Sequence, residues 1–188
     1  IGRSLDDLAI GATVATGSVR RRAQLMRMRP DLQFVDLRGN IQTRLSKIPD
    51  GGAIVMAVAA LEILGMADHI AQVLDIDVAV PMVGQGSVAV EARSDDRATL
   101  EILSAIDHVS SRYAVETERA FLAELGAGCS LPVGAHLTKE GVFHAFMATD
   151  DCSDSVQLVG SIGDTDDNIA VGIAAAHECR TRLAEVTE

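Results

Sequence analysis

Residues 53–59 read AIVMAVA, an apolar run with no polar position in it. It is far too short to span a bilayer and has no polar face for an amphipathic surface helix, so it suits a buried parallel strand. The flanking sequence repeats one theme. A strand is expected at about Thr13 to Thr16, and GSVRRRAQLMRMRPDL follows with Val19, Ala23, Leu25 and Met26 at roughly helical spacing, ending before Pro30. Phe34 to Leu37 reads as a strand, and Asn40 caps a helix over Ile41 to Ile48. After the apolar run a helix reaches about Leu74, and DVAVP (Asp77 to Pro81) reads as another strand. This βαβαβαβ alternation predicts a parallel-sheet α/β domain over residues 1–82.

The pattern then changes. MVGQGS looks like a crossing, with Gly84-Gln85-Gly86 better suited to a hinge than to a phosphate loop, because no Lys-Ser/Thr follows. Ser87 to Ala92 alternates as a strand, residues 97–106 as a helix, and Val109 to Leu125 as a longer helix. Strands near 133–137, 142–148 and 156–161, then a helix over about 165–184, predict a small C-terminal α+β domain. Leading serine Ser4 and Gly11 bracket one short turn of helix at the start.

Composition narrows the partners. Hydrophobic residues make up 48%, but aromatics are 3% and Trp is absent, so the cores must be aliphatic. No apolar run approaches the ~18 residues of a membrane span. No signal-peptide pattern opens the sequence, and three cysteines without metal spacing argue against a secreted disulfide framework. The expected compartment is the cytosol, and no membrane partner is expected. The net charge of −11 disfavours nucleic acid. Residues 1–50 nevertheless carry nine Lys+Arg against five Asp. A basic quarter in an acidic chain points to a local site for a small anion.

Two stretches could form that site. In Thr16-Gly17-Ser18-Val19-Arg20-Arg21-Arg22 a strand ends, a glycine turns the chain and a helix starts. Free N–H groups and the helix dipole favour an anion there, and the Thr16 and Ser18 hydroxyls add donors. Consecutive arginines point to different sides, so at most two of the three can face one ligand. In Asp36-Leu37-Arg38-Gly39-Asn40-Ile41-Gln42-Thr43-Arg44, Arg38 again sits at a strand end and Arg44 one turn past the cap. Ligands bind at that edge of open α/β sheets. A solvated basic face competes with each stretch taken alone; both together favour a polycarboxylate or phosphate. In ELGAGCSLPVG, Cys129 lies in a glycine-rich loop where a thiol could reach outward, although a small buried hydrophobe is the ordinary fate of a cysteine. The five histidines and the methionines carry no triad or metal spacing.

Taken together, TGSVRRRAQL, VDLRGNIQTRLSK, AVAALEILG, VPMVGQGSVAVEAR and TERAFLAELGAGCSLPVGA resemble the porphobilinogen deaminase (hydroxymethylbilane synthase) family. The resemblance implies an enzyme of tetrapyrrole biosynthesis, deaminating and condensing four porphobilinogen molecules head to tail into hydroxymethylbilane. The product grows on a dipyrromethane primer held by a thioether, here on Cys129. The family has three domains, the first two like periplasmic-binding-protein lobes. The resemblance assigns residues 1–82 to the second, 83–108 to a hinge and a segment returning to the first, and 109–188 to the third. Every pyrrole carries an acetate and a propionate. Thr16, Ser18, Arg20, Arg21, Arg38 and Arg44 would clamp them, the four arginines also orienting the reacting ring, with Gln85 in the hinge beside the cofactor. Porphobilinogen and the growing pyrrole chain are the partners implied, with a monomer at full length.

Some positions depart from the family pattern. Ala15 and Gly17 replace the usual Gly and Ser, Ile63 stands where an arginine is frequent, and the loop at Asp50-Gly51-Gly52 is short. The family's first domain, which bears its essential aspartate, has no counterpart in these residues. This implies that the 188-residue stretch is inactive alone. The alternative is a truncated or vestigial relative that binds a small polycarboxylate without turnover.

Overall fold

The structure is a computed structural model that describes residues 4–126, 131–163 and 167–187. Its N-terminal part holds a parallel three-stranded sheet in the order β2-β1-β3, and its C-terminal part an antiparallel sheet in the order β4-β5-β6. A mixed α/β architecture with two separate sheets is thus present.

β1 (Thr13–Ala15) is the central parallel strand, pairing with β2 (Gln33–Val35) and β3 (Ala53–Ile54). Val14 and Ala15 are buried accordingly. α1 (Val19–Met28) buries Ala23 and Leu25, α2 (Ile41–Leu45) is one short turn capped by Asn40, and α3 (Val58–Ile63) follows β3. Val14, Leu25 and Leu32 form the core here, with Leu5, Leu8, Phe34, Val55 and Leu74 packed around them.

Several elements differ from the sequence expectation. Only the first two residues of the apolar run join the ladder, at an edge, and Val58 already begins α3. α3 stops before Gly65, which turns with φ +65°, so the helix expected to reach Leu74 is short. Asp77 to Pro81 forms no strand. Residues 75–79 make a turn, with Val78 and Ala79 N–H both donating to the Asp75 carbonyl. The reason lies in the next residue. Val80 N–H donates to Gln24 Oε1 (2.6 Å), and its carbonyl accepts from Gln24 Nε2 (3.2 Å) and Arg20 Nη1. Side chains of α1 thus occupy the groups a fourth strand would have used. Ser87 to Ala92 is not in any ladder either. Val88 is 92% exposed and Val90 57%, and a lone strand without a partner has no stability of its own.

The C-terminal part follows the expectation closely. β4 (Val133–Leu137), β5 (Val142–Ala148) and β6 (Ser155–Ser161) pair in register from Val133↔Met147 to Val142↔Ser161. Leu137, Ala135, Phe143, Ala145 and Val156 face α5 (Val109–Glu124) and α6 (Asn168–Thr187). Phe121 and Phe143 meet edge to face at 6.2 Å. α4 (Arg97–Ser104) lies between the two parts in sequence and buries no residue.

The other side of this sheet meets α1. Ala23, Val80, Phe146, Ala148 and Cys152 form a buried seam between the parallel and antiparallel parts. Arg27 Nη1 donates to Gln157 Oε1 (2.8 Å) across it, and Gln157 Nε2 to the Asp77 carbonyl (3.0 Å). Gly134 fits closely: a Cβ there would lie 2.8 Å from the Pro81 carbonyl, 2.9 Å from that of Val80 and 3.1 Å from Arg20 Cδ. Leu125 and Pro132, on either side of the cysteine loop, are both buried.

Candidate anion-binding site

The site is built where β1 and β2 end. Thr16 N–H donates to the Val35 carbonyl (2.9 Å), and Thr16 Oγ1 accepts from Ser18 N–H (3.3 Å). Ser18 then leaves the strand as N-cap of α1, its Oγ accepting from Arg21 N–H at 3.4 Å. Gly17 allows the two strand-end turns to close on each other. A Cβ on it would stand 2.6 Å from the Leu37 carbonyl, too close for any side chain. In the second turn Gly39 adopts φ +128° against Thr43, and Asn40 Oδ1 accepts from Thr43 N–H (2.9 Å) to start α2.

Arg21 and Arg44 rise from these two turns. Arg21 is half-buried and donates from Nη1 to the Val55 carbonyl (3.2 Å), and Arg44 Nε donates to the Gly39 carbonyl (2.8 Å). Burial, then repulsion from Arg44, lowers the Arg21 pKa. Arg20 points the other way, under β4. It is 5% exposed, donates to the Val80 carbonyl and leaves Nε without a partner. Burial, then Arg21, pulls its pKa down to about 10. Among the described residues no carboxylate pairs with Arg20, Arg21 or Arg44. Cations that repel one another with no protein anion to balance them suit a polyanionic ligand.

The remaining sequence candidates fall elsewhere. Arg38 has an 88%-exposed side chain, loosely paired with Asp36 at 3.7 Å, so it stands in solvent beside the turn. Arg22 is exposed. Gln85 is exposed in the turn 83–86, between Gly84 (φ +72°) and Gly86 (φ +92°). Cys129 lies outside the described residues. Cys152 and Cys179 are buried thiols, the latter with its pKa pushed up to about 12 by burial.

Two contributors escaped the sequence reading. Gln24, one turn after Arg20, is 2% exposed and clamps Val80. Its position four residues after Arg20, on the same helix face, was its only signal. Glu118, 3% exposed in α5, accepts from Gly84 N–H (2.6 Å), Leu137 N–H (3.1 Å) and His136 Nδ1 (3.2 Å). Nothing in the local sequence marks it.

Among the described residues no helix is long and apolar enough to cross a membrane, and no His/Cys/Asp/Glu group could hold a metal. Residues 1–101 match the family model described as porphobilinogen deaminase, dipyromethane cofactor binding domain, and residues 112–181 match its C-terminal domain. Curated relatives named porphobilinogen deaminase include those of Roseiflexus sp. (strain RS-1), 44% identical over 92% of this chain and 54% of the relative, and Pelotomaculum thermopropionicum, 46% identical over 94% and 58%. That of Thermobifida fusca is 49% identical over 72% of this chain and 43% of the relative. The chain therefore spans little more than half the length of the first two relatives. Cofactor-domain and C-terminal-domain models in sequence order, on a chain whose paired strand-end turns gather unneutralised arginines, place it in the porphobilinogen deaminase family.

Proposed function

We propose that this chain is the part of a hydroxymethylbilane synthase that grips the pyrrole carboxylates and carries the cofactor tether, and that it acts in the cytosol as part of a monomeric enzyme. The observation that carries this reading is that Arg21 and Arg44 rise from adjoining strand-end turns and repel one another, with no carboxylate among the described residues paired to either. The arginine set fits dipyrromethane, whose rings bear acetate and propionate groups. The cofactor supplies the primer to which the pyrroles are added.

The chain's own residues bind and orient. Thr16 and Ser18 fix the helix start, leaving its N–H groups and dipole to attract a carboxylate. Arg21 and Arg44 offer planar donor forks that take carboxylates in two-point contacts. Arg20, expected from the sequence to join this clamp, is instead buried under β4 on the Val80 carbonyl and braces α1 from beneath, while Arg38 stands at the solvent edge. Holding the terminal ring in place for attack raises its effective concentration. Gln85 lies in the hinge, and Cys129 bears the thioether. Residues 1–82 form the lobe with these turns, 83–108 the hinge and a segment completing a neighbouring domain, and 109–188 the tether domain. The 188 residues alone turn over no porphobilinogen, because no acidic residue in them matches the motif of the family's essential aspartate. A vestigial polycarboxylate binder is the competing reading.

Intact-mass spectrometry of the full-length protein tests both. An adduct of dipyrromethane mass, absent in Cys129→Ser and retained in Cys152→Ser and Cys179→Ser, is expected together with turnover of porphobilinogen. An unmodified, inactive full-length protein would sink the enzyme reading.

A further inference from the structure

The turn Val83–Gly86 presents Gln85 between two glycines in left-handed backbone, a sequence with little intrinsic preference for one shape. It must be fixed from outside. Among the described residues the only side chain that hydrogen-bonds to it is Glu118, through Gly84 N–H at 2.6 Å. The same carboxylate accepts from Leu137 N–H and His136 Nδ1 on β4. Glu118 sits on α5, which ends at Glu124 just before the cysteine loop, and β4 begins just after that loop. One buried carboxylate therefore ties the Gln85 turn to both elements that flank Cys129. Two of its partners are backbone N–H groups reached by different side-chain oxygens, so a group with two acceptor oxygens suits the place.

We propose that Glu118 is a positioning residue of the deaminase: its bond to Gly84 holds the Gln85 turn on α5 and β4, the elements that lead into and out of the cysteine loop, and the rate of pyrrole addition depends on that setting. The inference rests on the function proposed above. Glu118→Gln isolates the bond. One side-chain oxygen serves two donors on β4 and the other serves Gly84. The glutamine keeps its oxygen on β4 and turns its NH2 toward Gly84 N–H, donor against donor.

The experiment uses the full-length protein and Glu118→Gln, with amide exchange by NMR, intact mass and steady-state kinetics. Gly84 exchange rises at least about tenfold while Leu137 exchange stays within about twofold. The Cys129 adduct is retained, kcat falls about tenfold, and KM stays within about twofold, because the arginine turns are untouched. Wild-type kcat despite faster Gly84 exchange would overturn the proposal, as would a fall in kcat with unchanged Gly84 exchange. If the wild-type protein carries no adduct and turns nothing over, the function reading fails instead, while the two exchange rates still test the bond.

Discussion

Replacing Gly134 by alanine tests the seam that buries Arg20. Two terms oppose each other. Alanine in a strand loses less backbone entropy on folding, worth about 0.5–1 kcal/mol in its favour. Its Cβ, however, would enter at 2.8 and 2.9 Å from two backbone carbonyls, Pro81 and Val80. Neither is the end of a flexible side chain, so β4 must move off residues 80–81. Overpacking of this kind costs about 1–3 kcal/mol. The Ala135 N–H bond to the Pro81 carbonyl (3.1 Å) stretches with it, for about 1 kcal/mol more. The clash wins, and a net loss of about 1–3 kcal/mol is expected. Gly160 on β6 is the control, because a Cβ there meets nothing within 4 Å. Gly160→Ala is expected to be neutral or slightly stabilising. Urea unfolding is read by Tyr113, the only tyrosine in a chain without tryptophan, packed against the C-terminal core. If Gly134→Ala matches Gly160→Ala, the close approach of β4 to residues 80–81 is wrong.

Two further outcomes are open to direct measurement. Arg21→Leu or Arg44→Leu should weaken porphobilinogen binding by calorimetry about ten- to a hundredfold, the worth of one charge-assisted contact, with little change in melting temperature. A drop of tens of degrees would make these arginines structural. Cys179 gives a pH signature. Its thiol ionises near 12 when folded against an ordinary 9.0, so above pH 9 the unfolded chain holds fewer protons than the folded one. Stability then falls as pH rises from 9 toward 12, by at most about 1.4 kcal/mol per unit from this group. Cys179→Ala should flatten that slope in urea titrations, and an unchanged slope would refute the assignment.

The C-terminal sheet and its two helices were legible as elements, although burial does not alternate along β4 or β5, because both faces of the sheet are covered. The strand at 77–81 was misread for a tertiary reason. DVAVP has the composition of a strand, but Gln24 and Arg20 side chains satisfy Val80 before another strand can. Likewise the alternation of residues 87–92 is real, yet no strand lies beside it among the described residues. Within the site, the spacing of three consecutive arginines implied divergent directions, and Arg20 is buried while Arg22 is exposed. It could not tell that Arg20 would run beneath β4, since that depends on a glycine more than a hundred residues later. Glu118 was invisible for the same reason, with partners at 84, 136 and 137.

The buried pair Leu125 and Pro132 has a consequence for how a lengthening chain could be handled. Both anchors are packed into the body of the protein, with six residues between them in sequence. Three Cα steps lead from Cys129 to Pro132, which at 3.8 Å per step bounds their Cα separation at about 11 Å. A primer held there, as the proposed function has it, keeps the Cα that anchors it within that distance of Pro132 whatever length it reaches.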